Sequence, residues 1–402
     1  MKLRRIPEDF EVFEYNTLPV GGRGEFAVYE LQKTGWTTLD ALDRIARELS
    51  IPRYCISHAG LKDRHAVTSQ WITIRRGPRT NYANSGFSLK YQGQASRAVT
   101  SSDIAANRFT IVLRDLPAGE QAALETALED IRGRGIANYF DDQRFGSWIP
   151  DQGFIAEPWI RGDYEEAFRR AFAARHPEDD AAERTEKEIL LEHWGDWPTC
   201  KQLLTRSHRR SIVTYLCDKP LDFKGAWARV NAELRGLYLS AFQSHLWNQI
   251  VSDFFALSAP PDERFEIHLK SATLTTPGSS GSHKSLKAEG NLCPLPSARV
   301  ALAAFPNPEQ AAATLSRLGW SLPDLKVKFP RDRFFSRQQR PMQTMLPDLS
   351  GSFAPDELTP GQLKWTLRFQ LPRGCYATMV IKHLLTRASG ACLSSHTLPV
   401  DE

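Results

Sequence analysis

The 402-residue sequence has no apolar run of transmembrane length, and no apolar segment follows its basic start, MKLRRIPEDF. A membrane span and a signal peptide are therefore not expected, and a cytoplasmic chain is. Cysteine is sparse. Cys55, Cys200, Cys217, Cys293, Cys375 and Cys392 are widely spaced and form no C-x-x-C pair, which speaks against a disulfide framework or a zinc site and for buried thiols. There is no P-loop, dinucleotide fingerprint, nucleophile elbow or internal repeat, so nothing points to a nucleotide cofactor. A strong charge of either sign is also missing. Lys and Arg number 51 against 47 Asp and Glu, a net +4, which permits a nucleic-acid partner without demanding one.

What is present is an ordinary folded composition, 41% hydrophobic and 24% charged, at a length that suits two or three domains. The charge is unevenly spread. Residues 163–196 are acid-rich, while 201–210 (KQLLTRSHRR) and 326–340 (KVKFPRDRFFSRQQR) are basic. The second basic run mixes cations with Phe329, Phe334 and Phe335. That mixture suits phosphates and unstacked bases, although composition alone favours a solvated connector.

The N-terminal third reads as α/β with much antiparallel pairing. FEVFEYN and EFAVYELQKT are strands about a GGRG turn. Thr38 followed by LDALDRIAREL has helical spacing. RYCISHAG, a basic loop, two further strands and the helix EQAALETALEDIRGRG follow. The middle is more helical, with DYEEAFRRAFAARH, ERTEKEILLEHW and a long run from Leu221 to Phe255. Residues 276–298 read as a loop and 335–360 as a linker. The final LKWTLRFQLPRGCYATMVIKHLL reads as strand, turn and helix, closer in character to the N-terminal part than to the middle. An insertion that splits one domain would produce this pattern.

The stretch HAGLKDRHAVTSQWITI, residues 58–74, joins a loop to a strand. Val67, Ser69, Trp71 and Thr73 alternate with Thr68, Gln70, Ile72 and Ile74, as on a pleated strand. In the loop one acid, Asp63, stands among Lys62, Arg64 and His65. Extended neighbours point to opposite sides, so Lys62 and Arg64 better suit a backbone phosphate than the carboxylate. An attacking carboxylate must stay charged, and a cation brought from elsewhere would hold it so. Taken alone, the loop favours a solvent-exposed turn aspartate. In GIANYFDDQRFGS, Phe140 beside Asn138 and Arg144 suits stacking on a base, and a buried corner equally well. LYLSAFQSHLWNQIV reads most simply as a core helix, with Gln243, Ser244 and Asn248 as its polar positions. His58 and His65 are unconvincing metal ligands.

In combination these pieces say more. PEDFEVFE, HAGLKDRHAVTSQ, NRFTIVLR, NYFDDQRFG, AFQSHLWN and LPRGCYATMV occur in this order and resemble the TruD family of tRNA pseudouridine synthases along nearly the whole chain. The resemblance implies an α/β (α+β) catalytic domain of the pseudouridine synthase type. Its sheet would be mixed and largely antiparallel, built from 1–155 and 340–402 and split by an inserted α/β domain at 156–339. It implies a tRNA substrate, with other RNA as an alternative, a basic cleft to hold it, and uridine 13 as the target. Neither cofactor, metal nor obligatory protein partner is implied, and a monomer is expected. The matching nucleophile is Asp63, attacking the sugar C1′ or the base C6. Asn138 matches a residue that positions the active-site loop and the nucleotide, Phe140 and Phe10 match aromatics in or near the site, and Tyr376 matches an aromatic of the uracil pocket. Arg4 stands where the family often has Lys, keeping the charge but not the shape, and is the expected cation for Asp63. Asp141 stands where the family usually has Gly, which adds a charge near the expected RNA surface. The rivals are a non-catalytic RNA-binding protein on the same fold and a phosphodiesterase using His58 and His65.

Overall fold

The computed structural model describes residues 1–177, 179–278, 291–327 and 335–389. Contacts divide the chain into two compact units, Met1–Ile136 with Thr344–Glu402, and Ala137–Gln343.

The first unit is built on a mixed sheet, ten-stranded among the described residues. Its main path runs Ser350–Pro355, Leu363–Pro372, Ile104–Leu116, Phe10–Asn16, Val67–Arg75, Phe26–Thr34, Phe87–Ala95 and Tyr82–Ala83. Phe10–Asn16 and Val67–Arg75 pair in parallel, and the other neighbours are antiparallel. The largely antiparallel mixed sheet is the one expected from the sequence.

One face of this sheet carries Ala27, Tyr29, Leu31, Ile72, Ile74, Phe87 and Leu89. They pack with Ala41, Leu42, Ile45 and Ala46 of the helix Thr38–Glu48. The helix starts where it does because Thr37 accepts the Asp40 N–H at 3.1 Å, a side-chain N-cap. Strand alternation carries the same face from Leu31 on to Lys33 and from Ile72 back to Gln70 and Thr68. The apolar core therefore ends in polar side chains at one edge, and the loop bearing Asp63 lies there.

Two of the longer strands of this sheet escaped the sequence reading. Phe87–Ala95 loses its alternation at Gly93, which has φ +138° and leaves a Cβ only 2.6 Å from Val20 Cγ1. The ladder slips register opposite it, between Val28 and Tyr29. Ser350–Pro355 lies inside the expected linker. Its SGS start has the composition of a connector, but it pairs with Leu363–Pro372 and stacks Phe353 on Trp365 at 5.2 Å.

The second unit is mainly helical. The run expected to be one helix from Leu221 to Phe255 is broken into Phe223–Ala228 and Ala232–Ser258. The break falls at Asn231, whose side chain accepts the Glu233 N–H at 2.7 Å and restarts the helix. Ala232–Ser258 buries Phe242, Leu246, Trp247 and Ile250. A hairpin, Arg264–Leu269 with Ala272–Pro277, leads to the expected loop, of which 279–290 lie outside the described residues. Residues 137–155, grouped with the N-terminal part in the sequence reading, fall in this second unit by contacts.

Candidate active site

Asp63 lies between the strands Ile56–His58 and Val67–Arg75. The backbone from Gly60 to Asp63 is pinned from beneath. Gln70 Nε2 donates to the Gly60 carbonyl at 3.0 Å. The Lys62 N–H donates to Thr38 Oγ1 at 2.8 Å, and that hydroxyl donates to Gln70 Oε1 at 2.9 Å. Lys33, 2% exposed, sends its ammonium to the carbonyls of Trp36, Asp63 and Lys62 at 2.7, 2.8 and 3.3 Å. Burial pulls the Lys33 ammonium down to about 8, against the opposing pull of Asp63 and with some help from Lys62.

The Asp63 side chain points the other way and is 52% exposed. Its Oδ2 lies 3.2 Å from Arg4 Nη2, so the cation comes from the N-terminal segment, as expected. Arg4 is only 10% exposed and its guanidinium covers the Phe10 ring, 4.1 Å from its centroid. Phe10 is itself buried and packs on Phe109, which stacks on Phe369. Phe10 thus supports the cation from below and presents no open face.

Arg4 has φ +56°, a left-handed backbone that a non-glycine residue rarely adopts. The next residues account for it. The Asp9 carboxylate accepts the N–H groups of Arg5 and Ile6 at 2.9 and 3.2 Å and folds the segment back on itself. Asp9 is held in turn by Arg114 Nε at 2.8 Å, while Arg114 also reaches Asp356 at 2.7 Å and Glu357 at 3.0 Å.

Lys62 corrects the sequence reading. Its side chain turns inward, with Nζ 3.3 Å from Glu14 Oε2 and donating to Asn107 Oδ1 at 2.5 Å. Alternation did keep Lys62 off the Asp63 carboxylate, as expected, but the side of the loop that Lys62 faces is the interior, where Glu14 and Asn107 take the ammonium that the sequence reading assigns to a phosphate. Arg64 and His65 are exposed, and His58 is tied to the Gly60 carbonyl at 3.2 Å. Tyr376 is half-buried at the start of the helix Ala377–Ser389. It follows the strand whose Leu371 is the register partner of Asn107, so it leaves the sheet beside the residue that Lys62 reaches.

The remaining expected residues belong to the second unit. Asn138, 3% exposed, donates to the Pro341 carbonyl at 2.9 Å and accepts from Arg340 Nη2 at 2.8 Å. Phe140, 8% exposed, is not the open stacking ring considered above. Arg340 covers it at 4.1 Å, and Trp247 meets it edge-on at 5.5 Å. Its N–H and carbonyl both bond to the Asn248 side chain, at 2.9 and 2.8 Å. Gln243 bridges Pro296 and Ser336, and Ser244 bonds Ser240 and Arg144. The polar positions of the core helix therefore bind backbone and neighbouring side chains. Asp141 is buried, not at the surface. Arg209 pairs with Glu183 and Glu186 of the acid-rich stretch, and Arg210 bonds the Lys201 carbonyl. Phe329, Arg331, Arg333 and Phe334 lie outside the described residues.

Residues 1–384 match the family model described as tRNA pseudouridine synthase D (TruD). The chain belongs to the TruD family of tRNA pseudouridine synthases. Among its TruD relatives, the tRNA pseudouridine synthase D of Leptospira interrogans serovar copenhageni is 30% identical over 407 residues, 96% of each chain. A Methanococcus maripaludis protein named "Probable tRNA pseudouridine synthase D 1" is 28% identical over 393 residues, 96% of this chain and 99% of its own. A crystal structure from Methanosarcina mazei, described as that of the "Putative tRNA pseudouridine synthase D (TruD)", shares the fold with a TM-score of 0.72 at 24% identity, covering 95% of this chain and 93% of its own. The protein is thus an isomerase whose substrate is tRNA. Among the described residues no helix is long and apolar enough to cross a membrane.

Sequence reasoning missed Lys33, Asp9 and Arg114. A signal for Lys33 existed: it follows 27, 29 and 31 on the core-facing side of a strand, where a lysine is out of place. No spacing signal links Asp9 to Arg114, which lie 105 residues apart.

Proposed function

We propose that this TruD-family chain converts uridine 13 of tRNA to pseudouridine with Asp63 as the nucleophile. The observation that carries this reading is the Arg4–Asp63 pair, in which a half-exposed carboxylate on a pinned loop has one cation at 3.2 Å. Attack at the sugar C1′ or at the base C6 both start from this carboxylate. The N1–C1′ bond breaks and the uracil turns. C5 then bonds to C1′, the bond that Asp63 formed to C1′ or C6 breaks and frees the carboxylate, the C5 proton leaves and N1 takes up a proton, so the product has the mass of the substrate. The nucleotide must leave its stack to reach Asp63. Arg64, exposed next to Asp63, holds a flanking phosphate. Tyr376 lines the uracil side, and Lys62 holds the loop from inside through Glu14 and Asn107. Asn138 and Phe140 act by fixing their own segment of the second unit, which contributes affinity. The first unit is the catalytic one, the protein works as a monomer, and its substrate places it in the cytoplasm.

The test is to map pseudouridine in tRNA from cells with and without this protein. Loss at position 13 is expected. Loss at another position would overturn the assigned uridine, and no loss at any position would overturn the reading.

A further inference from the structure

We propose that Lys33 is a positioning residue for the reaction, setting where the Asp63 backbone stands and so where its carboxylate meets the nucleotide. The inference rests on the reading of Asp63 as the nucleophile. Lys33 is on the strand Phe26–Thr34, while Asp63 is on a separate connection. A single buried ammonium joins the two through the Asp63 and Lys62 carbonyls, and joins both to the Trp36 carbonyl at the entry to the helix Thr38–Glu48. No side-chain carboxylate is needed to hold Lys33 there, and its bonds leave the Asp63 carboxylate open to Arg4 and to solvent.

Three carbonyl oxygens face one nitrogen. An ammonium has three N–H donors for them, whereas a neutral amine has two and a lone pair that would face an oxygen. Losing the proton therefore loosens the Asp63 backbone. The charged groups facing Lys33 are Asp63 and Lys62, both on the loop. Its register partners on the flanking strands, Thr68 and Phe87, do not titrate, and neither does Thr38. With burial holding Lys33 at about 8, the switch falls within reach of ordinary assay buffers.

The experiment measures single-turnover pseudouridine formation on an unmodified tRNA transcript at saturating protein, from pH 6.5 to 9.5. Wild type, Lys33→Met and Lys33→Arg are compared. Wild-type rate should fall as pH rises through about 8. Lys33→Met should be slower by roughly tenfold or more at neutral pH, the size of a lost charged hydrogen bond. It should show no such fall and should bind tRNA within a few-fold of wild type. Lys33→Arg keeps its charge throughout, so its rate should not fall near pH 8. A wild-type rate in Lys33→Met, or an unchanged fall near 8 in either variant, overturns the proposal. If Lys33→Met does not fold, the Lys33→Arg profile decides in the same way.

Stability gives a second readout of opposite sign. Between about 8 and the ordinary lysine value of 10.5, unfolded Lys33 holds a proton that folded Lys33 has lost. Wild-type stability relative to Lys33→Met should therefore rise with pH in that window, while the wild-type rate falls. If Lys33 merely held the fold together, rate and relative stability would fall together, and the proposal would be overturned. Asp63→Asn in the same assay separates the two claims. An active Asp63→Asn protein defeats the nucleophile reading itself, whereas an inactive one beside an unaffected Lys33→Met defeats only this inference.

Discussion

The loop at Asp63 and the segment at Asn138–Phe140 both lie in stretches that resemble the family, and the structure builds them in opposite ways. At Asp63 the backbone is held by hydrogen bonds while the carboxylate stands half-exposed beside Arg4. At Phe140 the backbone is bonded just as fully, by Asn248, but the ring too is buried between Arg340 and Trp247. A motif residue can therefore carry chemistry or hold a scaffold, and the sequence pattern looks alike in both cases. What separates them is whether the reactive atoms are left without a packing partner. The basic residues divide in the same way. Arg64 is open, while Lys62 and Arg209 are occupied by carboxylates of their own units.

This contrast can be broken by substitution. Asn248→Ala removes both side-chain bonds to the Phe140 backbone in a buried place, at about 1–3 kcal/mol for each polar group affected. The second unit should lose stability by that order in a denaturant titration, and single-turnover chemistry at saturating tRNA should survive in whatever protein remains folded. A large rate loss with unchanged stability would mean that the Phe140 segment carries chemistry after all.

Arg4→Met removes the cation over Phe10 while keeping its apolar stem. The single-turnover rate should fall by about ten- to a hundredfold, the equivalent of a charged hydrogen bond of about 1.5–3 kcal/mol. Global stability should change little, because the partner carboxylate is half-exposed. An unchanged rate would remove Arg4 from the site.

The smallest effect is expected from Arg209→Gln. Its partners Glu183 and Glu186 are in the same unit, so stability should fall by about 1 kcal/mol and the salt dependence of tRNA binding should not change. An arginine that met phosphate would instead flatten the salt slope by about one unit on removal.

Much of this was legible in the sequence because it is local or periodic. The alternation at 67–74 gave a core strand and the helical spacing after Thr38 gave a helix, whereas Arg4 was placed near the pocket only by the resemblance to the TruD family around PEDF. The rest depended on distance. Lys62 faces inward onto Glu14 and Asn107, which lie far from it in sequence. The left-handed Arg4 depends on Asp9, and Asp9 on Arg114, a chain of contacts that spacing does not reveal. Ser350–Pro355 is a strand because of its partner, not because of its own composition.

The central claim is that Asp63 attacks the nucleotide from a scaffold that does not itself react. Asp63→Asn tests it most directly, since the amide keeps the size and loses the charge and nucleophilicity. Single-turnover pseudouridine formation by the purified variant should be abolished, with tRNA affinity within a few-fold of wild type and an unchanged melting temperature. Turnover near the wild-type rate would contradict the account.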